Sequence, residues 1–258
     1  MIDEYREFAD EFRILTEIDL SYYNQPQILR RLTAFQQKHR FGSLLDLLAA
    51  LKSDPVLLRE CLDRLTINVT EFFRDRDYWQ VFKDNVSLLA KKKLPLRFWS
   101  AGCASGEEPY SLAFMLINML PRTCWEIAAS DLSNRALTAA KTGIYLEKAL
   151  KNLNPAEIAL IFDPVEGEMY QVKNRLRQCI TFFHHNLLFD PYPPNLDVVL
   201  CRNVIIYFTE KAKKRVFSRL AQALNPGGLL FVGGSEQIIT PEVFGLERED
   251  VYIYRKAN

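Results

Sequence analysis

The sequence has little that would mark a metalloprotein, a disulfide-stabilised protein or a membrane protein. Its 258 residues include three histidines and five cysteines, and no two cysteines form a C-x-x-C motif. An odd number of cysteines without paired spacing predicts that the thiols are reduced, as in a cytoplasmic protein. No apolar run approaches the roughly 20 residues of a membrane-spanning helix, and the acidic first dozen residues lack a signal core. We therefore expect a cytoplasmic protein that is not inserted in a membrane.

An excess of charge of one sign is also missing. The 33 Lys and Arg residues balance 32 Asp and Glu residues, which leaves a formal net charge of +1. This balance argues against nucleic acid or an anionic membrane as the main partner, so any electrostatic recognition must be local. The length suits one α/β domain and a small second domain.

The stretch Leu96–Leu112 contains the clearest ligand-binding pattern. Strand-like residues lead into a run of small ones, including Gly102, and an apolar periodic segment follows, which predicts the strand, turn and helix of a nucleotide-type site. Glu107 and Glu108 would begin that helix, where carboxylates repel phosphates. They suit a ligand with an adenosine and a cationic group, such as S-adenosylmethionine. Alternatively, the two acids only complement the helix dipole.

Further along the chain, strands and helices alternate. Asp131, Asn186 and Asn203 each follow a predicted parallel strand, and the carboxyl edge of such a sheet is where ligands bind. His184 and His185 also end a strand, but they lack further ligands at metal-binding spacing, so we predict no metal. The predicted strands after the first are Trp125–Ser130, Cys179–His184, Leu196–Cys201, Gly228–Gly233 and a final edge strand Val251–Arg255 with Val243–Leu246 as its hairpin partner.

The residues before the sheet are helical in pattern. From Ile2 to about Leu65 the spacing of apolar residues predicts about four short helices. The second, roughly Gln27–His39, is basic, and it is either a solvated face or a docking surface for an acidic protein. Its cations include Arg30, Arg31 and Lys38.

Two segments lie outside this regular alternation. In the linker Thr66–Arg76, Phe72 and Phe73 could anchor the chain while Asn68, Thr70 and Arg74 point at a ligand; a helix cap by Thr70 is the alternative. Between Tyr145 and Gln178 a long excursion contains a predicted hairpin, Glu166–Val172 around Gly167, and insertions of this length are usually functional or disordered.

These motifs together resemble those of the CheR-type methyltransferases, which methylate glutamates of bacterial chemoreceptors. The resemblance covers nearly the whole chain, and NVTEFFR, the GEEPYS turn and CRNVIIYF are its most specific parts. In chain order the matching motifs are Ile18–Leu20, Arg30–Leu32, Asn68–Arg74, Trp99–Ala113, Ser130–Leu137, His185–Leu188, Cys201–Phe208 and Pro226–Glu236.

The resemblance implies an α/β fold, with a class I S-adenosylmethionine-dependent methyltransferase (Rossmann-like) sheet, a small all-helical N-terminal domain and an inserted antiparallel β-subdomain. We expect a receptor-recognition domain at 1–65, a linker and connecting helix at 66–95, and the cofactor-binding domain at 96–258, with the insertion at about 146–178. Contacts to S-adenosylmethionine, whose product is S-adenosylhomocysteine, are implied for Asn68, Thr70, Arg74, Gly102, Glu107, Asp131, Asn186, Leu187, Asn203 and Val204.

The resemblance also implies the reaction and the partner. A methyl group would pass to receptor glutamate carboxylates, giving methyl esters for sensory adaptation, and Arg74 and Tyr207 are the candidate catalytic residues that orient the reactants. Arg30, Arg31 and Lys38 would bind the cytoplasmic helical region of the receptor, and we expect a monomer. Whether the β-subdomain holds a receptor tether is open. The alternatives are a methyltransferase for another nucleophile and a non-catalytic adaptor that binds the cofactor or a receptor.

Overall fold

The computed structural model describes residues 2–65 and 70–257. The chain forms two compact units. One contains Met1–Asn68 and Tyr207–Arg215, and the other contains Val69–Ile206 and Val216–Asn258. Throughout the described residues, no helix combines the length and the apolar character needed to cross a membrane. All five cysteines are free in the structure, and four of them are buried.

The first unit is a bundle of short helices around an apolar core. Asn24 and Ser43 begin the second and third helices, because each side chain accepts a hydrogen bond from a backbone amide of the first turn. The prediction of about four short helices is confirmed. The helices are α1 (Ile2–Thr16), α2 (Gln25–Lys38), α3 (Leu44–Ser53) and α4 (Pro55–Leu65), with a 3-10 helix at Leu20–Tyr22. Fully buried side chains in the core include Phe8, Phe12, Leu32 and Leu47.

The segment Tyr207–Arg215 completes this unit by pairing with the loop before α2. The Asn24 amide donates to the carbonyl oxygen of Tyr207 at 2.8 Å, and the Thr209 amide donates to that of Tyr22 at 2.8 Å. Between these bonds, the rings of Tyr23 and Phe208 meet edge to face with centroids 5.2 Å apart. Local sequence patterns do not indicate this association, since it joins residues nearly two hundred positions apart.

The second unit is built mainly from alternating strands and helices. Its elements, including the last helix, which both units share, are α5 (Arg76–Ala90), β1 (Leu96–Ala101), α6 (Glu107–Ile117), β2 (Trp125–Asp131), α7 (Asn134–Thr142), β3 (Ile144–Leu146), α8 (Pro155–Ile161), β4 (Phe162–Val165), β5 (Met169–Val172), α9 (Asn174–Arg177), β6 (Ile180–His184), β7 (Leu196–Cys201), α10 (Glu210–Ala223), β8 (Leu224–Val232), β9 (Leu246–Asp250) and β10 (Ile253–Lys256). Short 3-10 helices lie at Arg122–Cys124, Glu147–Leu150, Ile205–Tyr207 and Pro241–Phe244.

Seven of these strands form one sheet in the order β6-β2-β1-β7-β8-β10-β9. The first five strands are parallel to one another, whereas β10 is antiparallel to both β8 and β9. Chain order reverses on either side of β1, and in open α/β sheets such a reversal creates the crevice where ligands bind. The register pairs Ala101 with Ser130, Asp131 with His184 and Cys201 with Val232, so the parallel strands end at one edge.

The prediction for the last two strands was partly wrong. The chain ends on a strand as expected, but that strand, β10, lies inside the sheet between β8 and β9, and β9 forms the edge. Val243 belongs to the 3-10 helix Pro241–Phe244 and not to a strand. The charged run of β9 has exposed side chains after its buried first residue, which is typical of an edge strand and weakens the apolar alternation that predicts one.

The other three strands form a small antiparallel sheet in the order β3-β5-β4. Its hairpin turns around Gly167, whose φ of +72° is in the left-handed region that favours glycine. This confirms the hairpin predicted at Glu166–Val172. The sheet packs inward through buried aromatic residues, since the ring of Phe162 lies edge to face with that of Phe72, with centroids 5.1 Å apart.

Candidate active site

The turn between β1 and α6 is shaped by three residues with positive φ. Gly102, Ala104 and Gly106 have φ values of +85°, +46° and +99°. A Cβ atom at Gly102 would collide with the side chain of Val204, so glycine is required there for close approach as well as for conformation. Ala104, which has a Cβ, holds its left-handed conformation at some cost, and its amide donates to a side chain at the end of β2.

That side chain is Asp131, and both of its carboxylate oxygens are held by backbone amides. The Ala104 amide donates to Oδ2 at 2.8 Å and the Ser133 amide donates to Oδ1 at 2.9 Å. Burial raises the pKa of Asp131, while these amide hydrogen bonds oppose the rise. Each oxygen keeps a further lone pair, so Asp131 can still accept hydrogen bonds from ligand hydroxyls.

The two acids at the start of α6 have different surroundings. Glu107 is only 5% exposed and accepts a hydrogen bond from the Ser105 hydroxyl at 2.7 Å. Burial raises its pKa to about 7. Glu108 accepts a hydrogen bond from Ser100 at 2.7 Å and lies 3.6 Å from the guanidinium of Arg202. Both carboxylate oxygens of Glu108 therefore contact protein side chains, whereas Glu107 accepts its hydrogen bond from Ser105 on one oxygen, Oε2.

Arg202 connects the end of β7 to the linker before α5. One guanidinium nitrogen, Nη2, donates to the carbonyl oxygen of Arg74 at 2.9 Å and to Oδ2 of Asp75 at 3.0 Å. The side chain is 2% exposed, and its guanidinium lies 4.6 Å from the centroid of the Phe231 ring. A buried arginine with these partners fixes the backbone that carries the Arg74 side chain.

The residues after β7 form a second tight turn. Asn203 has a φ of +61°, and its Oδ1 atom is buried without a hydrogen-bond partner. Val204 lies against Gly102, which brings the two turns into contact. The carboxylate of Glu236, from the loop after β8, accepts hydrogen bonds from the backbone amides of Asn203, Val204 and neighbouring residues.

The loop after β6 is held by its own side chains. The Asn186 amide donates to Oδ2 of Asp190 at 2.7 Å, and the Asn186 side chain accepts from the Leu188 amide at 3.0 Å. Leu187 is buried, and its carbonyl oxygen accepts hydrogen bonds from Tyr192 at 2.7 Å and from Arg219 at 3.0 Å. The loop therefore has a defined conformation at the same edge of the sheet as Asp131.

Within the second unit, the structure thus brings most of the predicted cofactor residues to one edge. Thr70 and Arg74 are half-buried in the linker, where Phe73 is fixed by a hydrogen bond from its amide to the Ser111 hydroxyl at 2.9 Å. Asn68 lies outside the described residues. The buried residues Phe72 and Phe73 do anchor this linker, as the sequence predicted.

The predicted receptor-binding cations and Tyr207 belong to the first unit. Arg30 is exposed, whereas the guanidinium of Arg31 lies 4.8 Å from the centroid of the Tyr207 ring and donates to the carbonyl oxygen of Leu65. Lys38 is exposed and forms an ion pair with Glu60 at 2.5 Å. The three cations are therefore not equivalent, because only Arg31 is built into the fold.

Two residues of this site, Arg202 and Glu236, were not singled out from the sequence. Both follow the carboxyl ends of parallel strands, the rule that identified Asp131, Asn186 and Asn203. Arg202 is the first residue after β7, and Glu236 lies in the loop after β8. The same rule, applied to these two positions, would have indicated both residues. Among residues 2–65 and 70–257, no group of three or more His, Cys, Asp or Glu side chains is arranged to hold a metal ion.

Comparison with known protein families agrees with this geometry. The model of the CheR methyltransferase SAM-binding domain matches residues 68–253, and that of the CheR methyltransferase all-alpha domain matches residues 3–66. The sheet, its crevice at β1 and the matched cofactor-binding domain define a class I S-adenosylmethionine-dependent methyltransferase, as the sequence predicted.

Known relatives agree along nearly the whole chain, which belongs to the CheR family of chemotaxis protein methyltransferases. A chemotaxis protein methyltransferase of Listeria innocua is 39% identical over 242 residues, covering 93% of this chain and 92% of the relative. One of Pseudomonas putida is 34% identical over 248 residues, covering 89% and 90%. Among solved structures, the match to a TehB-like SAM-dependent methyltransferase of Corynebacterium glutamicum covers 70% of this chain and 95% of that protein, with a TM-score of 0.40 and 12% identity.

The residues at the sheet edge fit the cofactor in chemical terms. Glu107, Glu108 and Asp131 place three carboxyl groups at the start of α6 and the end of β2, with one buried arginine, Arg202, beside Glu108, an arrangement suited to a ligand with a sulfonium and an ammonium group. The unpartnered Oδ1 of Asn203 is an acceptor that a ligand donor could satisfy. S-adenosylmethionine is therefore the methyl donor of this enzyme.

Proposed function

We propose that this methyltransferase esterifies glutamate side chains in the cytoplasmic helical region of methyl-accepting chemoreceptors, as part of sensory adaptation. The observation that carries the proposal is the amide-held carboxylate of Asp131 beside the Gly102–Gly106 turn, with Glu107 buried at the start of α6. Its relatives are named chemotaxis protein methyltransferases, and the receptor glutamate as substrate is what the resemblance of its motifs implies.

In this proposal, residues at the carboxyl edge of the sheet and in the linker hold the cofactor. Asp131 accepts hydrogen bonds from the ribose hydroxyls, and Glu107 faces the cationic end of the cofactor, because Glu108 is already engaged by Ser100 and Arg202. Asn186, Leu187, Asn203 and Val204 surround the adenine and the methionyl group. Thr70 and Arg74 close the site from the linker, with Asn68 as a further contact.

The acceptor needs no general base. S-adenosylmethionine supplies an electrophilic methyl group on a sulfonium. A glutamate carboxylate has an ordinary pKa of about 4.3 and is already an anion at neutral pH. Burial lowers the pKa of His185, which keeps that imidazole neutral, and its Nε2 faces the Pro191 carbonyl oxygen at 3.2 Å. The protein then acts by aligning the reactants, which can contribute roughly 7–11 kcal/mol, with Arg74 and Tyr207 as the orienting side chains.

Receptor recognition is assigned to α2. Arg30, Arg31 and Lys38 would face an acidic receptor helix, with Arg30 as the most accessible contact and Arg31 as a contact that also supports the fold. Esterification removes one negative charge from the receptor, which relaxes repulsion between its helices and biases a signalling equilibrium. The enzyme would act as a cytoplasmic monomer.

The test is transfer of labelled methyl groups to membranes that contain chemoreceptors, followed by mild alkali. We expect label that is released as methanol, and loss of transfer when Asp131→Asn removes the charge of the amide-held carboxylate. Exposed Asp163 on β4 offers a control, since Asp163→Asn should leave transfer unchanged. Tight binding of S-adenosylmethionine without transfer to any receptor would favour the adaptor alternative, and alkali-stable label would favour a different nucleophile.

A further inference from the structure

Glu236 is a buried acid whose charge is held by backbone amides. It follows β8 by four positions and is 5% exposed. Its Oε2 accepts hydrogen bonds from the amides of Asn203 at 2.5 Å and Gly233 at 3.0 Å. Its Oε1 accepts from Val204 at 2.8 Å and Ile205 at 2.6 Å. In the described ranges, 2–65 and 70–257, no lysine or arginine forms an ion pair with this carboxylate.

These hydrogen bonds explain how the turn after β7 holds its conformation. Four consecutive amides, from Asn203 to Ile206, converge on one carboxylate, an arrangement that a left-handed residue at the start of the turn makes possible. Without the carboxylate these amides would lose their partner in a largely buried place, which is costly. Glu236 therefore ties the end of β8 to the end of β7.

The turn that Glu236 holds carries two residues of the candidate site. The Asn203 side chain presents the unpartnered buried Oδ1 atom, and Val204 packs against Gly102 of the first turn. A small displacement of the turn would move both side chains with respect to the Gly102–Gly106 turn. Because both carboxylate oxygens of Glu236 accept hydrogen bonds from backbone amides, Glu236 acts through these residues.

We propose that Glu236 is a positioning residue for S-adenosylmethionine: its carboxylate fixes the amides of Asn203, Val204 and Ile205, and thereby sets the Asn203 and Val204 side chains in their cofactor-binding positions. The inference rests on the proposed assignment of Asn203 and Val204 as cofactor contacts. It adds a residue that does not itself touch the cofactor, and it predicts effects that can be measured without any receptor.

The variants separate positioning from general support of the fold. Glu236→Gln keeps the shape of the side chain but replaces one acceptor oxygen with a donor that faces amide donors. Glu236→Asp keeps the charge and withdraws it by one methylene group. Glu242→Gln, in the exposed part of the 3-10 helix Pro241–Phe244, is the matched control.

Two measurements on the full chain test the proposal. Hydrogen exchange of the cofactor-free protein reports on the amides of residues 203–205, and calorimetric titration with S-adenosylhomocysteine reports on the site. For Glu236→Gln we expect both faster exchange in this segment and an affinity about tenfold to a hundredfold lower, as the loss of charge-assisted hydrogen bonds would give. Glu236→Asp should recover part of both, and Glu242→Gln should match the wild type.

The outcomes distinguish this inference from the assignment beneath it. Unchanged affinity in Glu236→Gln would overturn the inference, whether or not exchange is faster, because a purely structural carboxylate would give that result. If the wild type itself fails to bind S-adenosylhomocysteine, the assigned cofactor site is wrong. If Glu236→Gln does not fold, the same measurements are made on Glu236→Asp. Faster exchange of residues 203–205 in Glu236→Asp, together with wild-type affinity for S-adenosylhomocysteine, would again contradict the proposal.

Discussion

Arg31 of α2 lies against Tyr207, with its guanidinium carbon 4.8 Å from the centroid of the tyrosine ring. The same guanidinium donates a hydrogen bond to the carbonyl oxygen of Leu65 at the end of α4. Burial lowers the pKa of Arg31, and its interactions with Tyr207 oppose this. One side chain of the basic helix thus joins three segments of the first unit, whereas its neighbour Arg30 is exposed.

This difference predicts different effects for two adjacent substitutions. Arg31→Ala should lower the free energy of unfolding by about 1–2 kcal/mol, the sum of a hydrogen bond and a cation–π contact. Arg30→Ala should leave stability within about 0.5 kcal/mol, while it raises the KM for the receptor. Chemical denaturation and receptor methylation measured on both variants check this, and equal stability of the two variants would contradict the role given to Arg31.

Gly102 and Gly167 provide a test of the close approach between the two turns. Both have positive φ, but a Cβ at Gly102 would collide with Val204, whereas a Cβ at Gly167 would meet nothing within 4 Å. Gly167→Ala should therefore cost only the conformational strain, about 1–2 kcal/mol. Gly102→Ala should cost more and should also lower the affinity for S-adenosylhomocysteine, as measured by calorimetry. Equal effects of the two substitutions on affinity would show that the contact with Val204 is unimportant.

Arg202 should be essential for stability because it is the buried partner of Glu108 and Asp75. Arg202→Met leaves Glu108 buried beside an apolar side chain, which should cost about 3–5 kcal/mol. Arg202→Lys keeps the charge but not the forked geometry that reaches Asp75 and the Arg74 carbonyl oxygen. The stability of this variant should therefore lie between those of the wild type and Arg202→Met. Exposed Arg248 on β9 supplies the control Arg248→Met. Near-wild-type denaturation midpoints for Arg202→Met would contradict this account.

Glu107 should make stability depend on pH. Its pKa is raised from 4.5 to about 7 by burial, so between these values the folded protein binds more protons than the unfolded chain. The free energy of unfolding therefore falls as pH rises through this window, and stays low above it. Glu107→Gln removes the penalty, so the cofactor-free variant should gain stability over the wild type as pH rises, by about 3 kcal/mol at most at 1.36 kcal/mol per pH unit.

Urea denaturation at several values from about pH 5 to about pH 8 tests this directly. Glu247→Gln, at an exposed position of β9, should give a curve parallel to that of the wild type. If Glu107→Gln also runs parallel to the wild type, then the carboxyl group of Glu107 is not held in the environment described here.

Elements with strong local signals were predictable from the sequence. The sequence pattern predicts a helix from about Asn134 to Thr142, and helix α7 has these bounds because Ser133 caps its first turn and Gly143, with a φ of +64°, ends it. Strand β7 also has its expected bounds, since all six of its side chains are buried and polar residues follow. The ligand-binding edge of the sheet was predictable as well. The apolar pattern of each strand shows where the strand ends, and the polar residue that follows then marks the carboxyl edge.

What could not be predicted depends on contacts between distant residues. The pairing of Tyr207–Arg215 with the loop before α2 and the place of β10 inside the sheet leave no periodic pattern in either segment. Arg202 and Glu236 are similar cases, because their roles depend on distant partners. Glu236 binds the Asn203 amide, more than thirty positions away, and Arg202 lies beside Glu108, more than ninety positions away. The prediction of Glu107 over Glu108 as the cofactor contact stays a proposal.

The central claim is that this enzyme places methyl groups on receptor glutamates at the site around Asp131. The most direct measurement is tandem mass spectrometry of a chemoreceptor cytoplasmic fragment after incubation with S-adenosylmethionine and either the wild type or Asp131→Asn. The account predicts added methyl groups on glutamate side chains, removed by mild alkali and absent with the variant. Methyl groups on lysine or another nucleophile, or equal glutamate methylation by the variant, would contradict it.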